Sequence, residues 1–171
     1  MTPGGPGFDG WLMDGVSGFG WSDVAALLVA PDGRYLMQHR DPFPHLRVPD
    51  HWGLFGGRIE DGETPRQALF RELAEELEFT PRRADWFTES ALAVPQIGQE
   101  PTRKTFFVVP VTFDEIAAMV LHEGAEKGLF TLPDLMAQPK VVPWDAYAVL
   151  LHARRDTALH VPTPGPAQAN V

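Results

Sequence analysis

The sequence predicts one domain of the α/β or α+β class, in which helices pack on a mixed central sheet. Three observations lead to this prediction. Residues 24–29 (VAALLV) form a continuous apolar run, which is typical of a buried strand. Residues 64–77 carry leucines at helical spacing. Two later apolar segments, 86–94 and 106–111, are predicted as further strands and so extend the sheet beyond the first helix.

A β-hairpin is predicted at the start of the domain. The apolar run is followed by Pro31-Asp32-Gly33, a turn signal, and then by residues 34–39 (RYLMQH), which fit a second strand. Residues 40–51 contain three prolines and are predicted to form a loop. Residues 52–55 then make a short apolar approach to a pair of glycines.

The helix has recognisable start signals and one buried side. Thr64 can serve as the N-cap, and Pro65 occupies the first helical position, where proline is favoured. Leu69, Leu73 and Leu77 recur at i, i+4 and i+8. We therefore expect these leucines to pack on the sheet while the neighbouring acidic edge of the helix faces a cleft.

The end of the chain is less regular. Residues 115–121 fit either a short helix or a strand, and residues 144–154 are predicted to form a C-terminal helix. We find no internal repeat and no linker, so residues 21–160 are expected to form one domain. The Gly- and Pro-rich segments 1–20 and 161–171 are expected to be flexible.

Composition excludes several classes of function. The chain has 171 residues and no cysteine, which rules out disulfides, thiolate metal sites and cysteine nucleophiles. A net charge of −9 disfavours binding to nucleic acid or to an anionic membrane surface. No apolar run approaches the ~20 residues of a membrane span, and the N-terminus lacks the pattern of a secretory signal. We therefore expect a soluble cytoplasmic protein.

Three carboxylates are concentrated on one face of the predicted helix. Glu72, Glu75 and Glu76 stand at i, i+3 and i+4, within an arc of roughly 100°. Like charges at these spacings repel, each pair costing about 0.2–0.5 kcal/mol on an exposed helix. A hard divalent cation such as Mg²⁺, which prefers oxygen ligands, is the natural counter-charge.

The whole segment resembles the Nudix box, G-x5-E-x7-R-E-U-x-E-E-x-G-U, where U is a bulky apolar residue. The matching residues are Gly57, Glu63, Arg71, Glu72, Leu73, Glu75, Glu76 and Phe79. Six rigidly spaced non-apolar matches arise by chance on the order of once in 10⁷ positions. Glu78 replaces the second glycine of the box. If Glu78 adopts the left-handed conformation of a helix cap, it costs about 1 kcal/mol, and we expect activity to be retained.

The resemblance implies an α/β/α sandwich with a mixed sheet and hydrolysis of a nucleoside diphosphate linked to another group X. It implies that Mg²⁺ or Mn²⁺ is held by Glu72, Glu75, Glu76 and the carbonyl of Gly56. Arg71 and Glu63 would form an orienting ion pair, with Gly57 shaping the loop. The substrate would be a small nucleotide, and members of the family are often dimers, so a homodimer is also expected.

The general base varies within the family between a box glutamate and a glutamate on a later loop. Glu72 and Glu76 are the catalytic candidates within the box. Glu123 is the candidate on a later loop, with Glu126 and Glu100 behind it.

Other polar and aromatic residues could contact the substrate. Arg40 is the candidate for phosphate binding, and three histidines surround the same loop: His39, His45 and His51. Surface or packing roles are the alternative for each of them. Phe43, Trp52 and Trp86 could stack on a base, although aromatic side chains mostly belong to the core.

Two classes of function remain open from the sequence. The first is a Mg²⁺-dependent hydrolase whose X is that of a nucleotide sugar, ADP-ribose or a nucleoside triphosphate. The second is a catalytically silent Nudix-like module that binds a nucleotide or has a regulatory role. The complete set of box glutamates favours the enzyme, because a pure binding module does not need a complete catalytic set.

Overall fold

A computed structural model describes residues 21–94 and 99–158. The expected flexible segments 1–20 and 161–171 lie outside this range. The elements in chain order are β1 (Trp21–Val29), β2 (Tyr35–His39), β3 (Trp52–Gly53), α1 (Pro65–Leu77), β4 (Asp85–Val94), β5 (Gln99–Pro110), α2 (Phe113–Ala118), β6 (Glu126–Phe130), α3 (Leu132–Met136) and α4 (Pro143–Ala158).

One mixed sheet contains all the strands of the described residues, in the order β3-β2-β1-β5-β4, with β6 added along β2. Strand β1 runs parallel to β5, from the pair Trp21 and Thr102 to the pair Val29 and Pro110. The other pairings are antiparallel, including the predicted hairpin of β1 with β2. The sheet is therefore mixed, as expected.

Both faces of β1 are covered, which explains its unbroken apolar sequence. Val24, Ala26 and Leu28 belong to a buried cluster that also contains the leucines of α1. Ala25 and Leu27 point to the opposite face and belong to a second cluster, which contains residues of α3 and α4. Because successive side chains of a strand alternate between faces, one strand joins both clusters. The predicted α/β/α sandwich is confirmed.

Helix α1 begins as the sequence predicts. The side chain of Thr64 accepts a hydrogen bond from the N–H of Gln67, whose own side chain accepts from the N–H of Thr64, so the two form a capping box. Leu69, Leu73 and Leu77 are fully buried. The helix thus buries its leucines against β1, and its acidic edge lies next to this contact.

Three elements differ from the sequence-based expectation, and one ambiguous segment is resolved. Strand β5 begins at Gln99, seven residues before the predicted start, because its polar first half pairs with both β1 and β4. The ambiguous segment 115–121 contributes to the short helix α2. Strand β6 and helix α3 were not predicted. No helix within the described residues is long and apolar enough to cross a membrane.

Candidate active site

A cleft of about 520 Å³ opens where the carboxylate edge of α1 meets β1, β2 and β5. Its acidic lining residues are Asp23, Asp41, Glu72, Glu76, Glu123 and Asp145. Its basic lining residues are Arg40, Arg47, Arg58, Lys104 and His122. The cleft thus brings candidate metal ligands and cationic groups into one space, which suits a ligand that carries both phosphate and bound metal.

The paired glycines let the box loop lie directly against β1. The N–H groups of Val24 and Ala26 donate to the carbonyls of Gly57 and Phe55, at 2.8 and 2.9 Å. Gly56, between them, has φ +131° and donates its N–H to Glu76 Oε2 at 2.9 Å. The loop therefore continues the sheet and at the same time fixes one carboxylate of the helix.

Arg71 joins the box loop to the helix through its planar guanidinium. Nε and Nη2 donate to the two carboxylate oxygens of Glu63, at 2.8 and 3.0 Å, and Nη2 also donates to the carbonyl of Arg58 at 2.9 Å. The hydrogen bond from Arg71 holds the pKa of Glu63 below its usual value and raises that of Arg71. This geometry is that of the predicted orienting ion pair.

Glu76 is the most buried of the three helix carboxylates, with 4% of its surface exposed. Burial raises its pKa to about 8, and the negative charges of Glu72 and Glu123 act in the same direction. Gln38 also contacts it, with Nε2 lying 3.3 Å from Oε1. A carboxyl group in this position holds its proton tightly. A nearby cation would stabilise its ionised form.

The remaining two helix carboxylates contact Arg71. Its Nη1 lies 2.9 Å from Glu72 Oε1 and 3.3 Å from Glu75 Oε2. Burial raises the pKa of Glu72, while Arg71 opposes that change. No three His, Asp or Glu side chains in residues 21–94 and 99–158 converge as a ready-made metal site. The donors are nonetheless all oxygens, and a hard divalent cation fits this set once the carboxylates turn from Arg71.

The structure places Glu123 at the cleft and Glu126 outside the cleft lining. Glu123 lines the cleft together with Glu72 and Glu76, and its negative charge contributes to the raised pKa values of both. Glu126, on β6, faces His39 at 3.8 Å and is not part of the cleft lining. The side chain of Glu100 lies outside the described part of the chain.

Arg40 organises the loop that forms one wall of the cleft. Its Nε and Nη2 donate to the carbonyls of Val48 and Arg47, at 3.2 and 3.0 Å. Part of its guanidinium is therefore engaged in shaping the loop, although the residue does line the cleft. Val48 has φ 54°, a costly conformation for a β-branched residue, and the contact with Arg40 helps to hold it.

The histidines and aromatic residues near this loop have distinct positions. His39 pairs with Asp50 at 3.2 Å, and the ring of His45 stacks on that of Phe43. Phe43 is the one aromatic candidate of the three that lines the cleft. The other residues are placed as follows: His51 Nδ1 lies 2.6 Å from the Pro49 carbonyl, Trp52 packs on His39 and Phe130, and Trp86 is 64% exposed.

The sequence did not indicate the buried ion pair at the far side of the cleft. Lys104 Nζ donates to Asp145 Oδ1 at 2.8 Å, and the Leu54 N–H donates to the other oxygen at 2.9 Å. Both side chains are largely buried. The sequence gives little signal for this pair, because Lys104 lies in the polar first half of β5, outside the predicted strand 106–111.

Comparisons with known proteins identify the class of protein to which this fold and this cleft belong. The family model described as "NUDIX domain" matches residues 21–152, which include every element of the sheet and the carboxylate helix. The chain therefore belongs to the Nudix family. The hydrolases of this family generally use a divalent metal.

Particular relatives narrow the comparison. The chain is 32% identical over 126 residues to "Putative 8-oxo-dGTP diphosphatase 3" of Mycobacterium tuberculosis, with 69% of this chain and 57% of that protein covered. The chain thus spans little more than half the length of that relative.

Two solved structures illustrate the likeness of fold. The MutT protein from Methanosarcina mazei has a TM-score of 0.66 at 19% identity, covering 80% of this chain and 94% of that one. The Nudix domain of Shewanella oneidensis NrtR, solved in complex with ADP-ribose, has a TM-score of 0.62 at 19% identity, covering 80% and 88%.

Proposed function

We propose that the chain hydrolyses a phosphoanhydride of a nucleoside diphosphate linked to X, with Mg²⁺ as the metal and water as the nucleophile. The observation that carries the proposal is the joint presence of Glu72, Glu76 and Glu123 in one cleft with cationic side chains. Hydrolysis of a phosphoanhydride needs neutralised phosphate charge, a positioned water and an acceptor for its proton. A silent binding module would need the cations but not the full carboxylate set.

The residues have separate roles in this proposal. Glu72, Glu75, Glu76 and the Gly56 carbonyl would hold Mg²⁺ (or Mn²⁺), which supplies charge neutralisation and a more acidic water when bound. Glu123 would accept the proton of the attacking water, with Glu72 or Glu76 as the alternative base. Glu63 and Arg71 would keep the box loop and the helix in register.

The relatives suggest which substrates to test first. The Mycobacterium tuberculosis relative is named for 8-oxo-dGTP, and one structural neighbour is a complex with ADP-ribose. A third neighbour is an Ap4A hydrolase from C. elegans. We propose an oxidised purine nucleoside triphosphate as the first candidate, because this relative is 32% identical to the chain, against 19% and 15% for the two structural neighbours.

Assaying turnover of 8-oxo-dGTP, dGTP, ADP-ribose and Ap4A with Mg²⁺ tests the proposal. We expect hydrolysis of at least one of them and loss of hydrolysis on adding EDTA. Glu72→Gln should lower kcat by about 10²-fold or more, because a metal ligand is removed. Asp61→Asn, in the same box loop but exposed and outside the cleft lining, should leave kcat unchanged. Turnover that survives EDTA, or no turnover of any of the four, would contradict the proposal.

Arg71→Lys is expected to lower kcat by about 10- to 100-fold while the protein remains folded. Lysine keeps the positive charge but cannot hold Glu63 with two parallel hydrogen bonds while also reaching Arg58. Steady-state kinetics with Mg²⁺ and circular dichroism measure the two effects. The matched control is Arg66→Lys on the same helix, since Arg66 bonds to the Ala84 carbonyl outside the cleft. Equal kinetics for the two variants would rule out an orienting role for Arg71.

A further inference from the structure

Glu78 occupies the position that is glycine in the Nudix box, and it adopts a left-handed conformation with φ 51° and ψ 33°. Its N–H donates to the carbonyl of Ala74 at 3.1 Å, as a helix C-cap does. Glycine reaches this conformation without a steric penalty from Cβ. Glutamate therefore makes the cap less favourable than glycine would.

The side chain of Glu78 contacts a residue far along the chain. Its Oε1 lies 2.7 Å from Nε2 of His122. The two side chains are 59% and 47% exposed, and ion pairs or hydrogen bonds with this exposure add little to stability. The contact therefore offsets little of the free-energy cost of the cap. Its main effect is on the position of His122.

His122 lies in the segment 120–124, which comes after α2 in the chain and contacts the C-terminal end of α1. The N–H of Val120 donates to the Leu77 carbonyl at 3.1 Å, and the N–H of His122 donates to the Glu76 carbonyl at 2.9 Å. These two bonds satisfy carbonyls in the last turn of the helix. The side chain of Glu78 adds a third contact beside them, and this contact involves the ring of His122.

The same segment carries Glu123 to the cleft. Beyond that residue, the N–H of Gly124 donates to Asp41 Oδ2 at 3.1 Å, which fixes the other end of the segment. Glu123 thus lies between two held points and lines the cleft together with Glu76. Rotation of the segment about its backbone contacts would move the carboxylate of Glu123 relative to the cleft.

We propose that Glu78 is a positioning residue, which holds the segment 120–124 through His122 so that Glu123 faces the cleft. This inference rests on the proposed function, in which Glu123 accepts the proton of the attacking water. It also accounts for the departure from the box glycine, because glycine has no side chain with which to reach His122.

Restoring the glycine tests the proposal. We expect Glu78→Gly to lower kcat five- to tenfold for whichever of 8-oxo-dGTP, dGTP, ADP-ribose and Ap4A is hydrolysed fastest, with KM changed less than twofold. The Tm should stay the same or rise, because the strained cap is relieved. Glu78→Gln keeps a polar group that can bond to His122 and should recover most of kcat. A purely structural role would change Tm and leave kcat as in the wild type.

A double variant and a control locate the effect. Glu78→Gly combined with His122→Gln should be no slower than the slower single variant, because both remove the same contact. Arg83→Gln removes an equally short, exposed ion pair with Asp85 that lies outside the cleft lining, and it should leave kcat unchanged. Additive losses in the double variant would overturn the proposal.

Hydrogen exchange of the ligand-free protein separates this inference from the proposed function. In Glu78→Gly, the amides of His122 and Gly124 should exchange at least threefold faster than in the wild type, while those of β1 are unchanged. If the wild type hydrolyses none of the four nucleotides, the proposed function fails, and the exchange result still decides whether Glu78 holds the segment. Unchanged exchange, or a wild-type kcat in Glu78→Gly, would overturn the inference.

Discussion

Glu76→Gln is expected to lower kcat by roughly 10³-fold and to make the metal-free protein more stable in alkaline solution. The rate falls because a proposed metal ligand is removed. The bound metal would supply several kcal/mol of charge stabilisation in the transition state. The gain in stability follows from the burial of Glu76. The amide oxygen of glutamine can still accept the hydrogen bond from Gly56, so the box loop keeps its anchor.

The pH dependence of this gain has a definite sign. Burial raises the pKa of Glu76 to about 8, from an ordinary value of 4.5. Between pH 4.5 and about pH 8, Glu76 keeps its proton in the folded state but has lost it in the unfolded state. The wild type therefore loses stability as the pH rises through this window. Glutamine does not titrate. The variant should therefore match the wild type near pH 4.5 and be more stable by a few kcal/mol near pH 8.

Urea denaturation in EDTA at several pH values measures the difference. Glu60→Gln is the control, because Glu60 is exposed and its substitution should not change the slope of stability with pH. Adding Mg²⁺ should narrow the gap between wild type and Glu76→Gln at pH 8, since a cation that binds the wild type stabilises it by mass action. A gap that is constant across the pH range would show that Glu76 does not have a raised pKa.

Gly56→Ala is expected to destabilise the protein by roughly 3 kcal/mol or more and to abolish activity with it. Gly56 has φ +131°, a conformation that residues with a side chain rarely adopt. A Cβ at this position would also overlap the carbonyl oxygen of Val24 and lie 2.9 Å from Cα of Ala25. Both contacts are with the backbone of β1, which cannot move without disturbing the core.

Chemical denaturation and kinetics measure the result, and Gly57→Ala provides an instructive comparison. A Cβ at Gly57 would overlap the carboxylate of Glu72, which is the far end of a flexible side chain. That variant should fold with nearly normal stability but lose activity, because a proposed metal ligand is displaced. If Gly56→Ala unfolds at the same urea concentration as Gly57→Ala, the fit of the box loop against β1 is not the reason for the glycine.

Local signals made one part of the fold and of the candidate site predictable from the sequence. Thr64, Pro65 and the leucines of α1 act within a few turns of helix, so the structure reproduces the predicted helix boundaries. The resemblance to the Nudix box implied an ion pair between Glu63 and Arg71, and the structure contains that contact. These features depend on residues that are near neighbours along the chain.

Other parts depend on contacts between distant segments and could not be predicted in the same way. Strand β6 (EKGLF) has no apolar alternation, and it forms because the edge of β2 is available for pairing. Lys104 and Asp145 meet only after α4 packs on a face of the sheet that contains β5. The roles of Glu123 and Arg40, the metal and the homodimer remain predictions.

The parallel pairing of β1 with β5 has a consequence for how the cleft arises during folding. β1 contacts the box loop through Val24 and Ala26, and the same strand pairs with β5, where Val24 lies opposite Thr105. Strands β1 and β5 are far apart along the chain, and pairing such distant strands is slow. Helix α1 can therefore form well before the surroundings of its glutamates exist. Until β1 has paired with the box loop and with β5, the glutamates of α1 lack the surroundings that form the cleft. Cations are thus expected to stabilise the completed fold and to do little for folding intermediates.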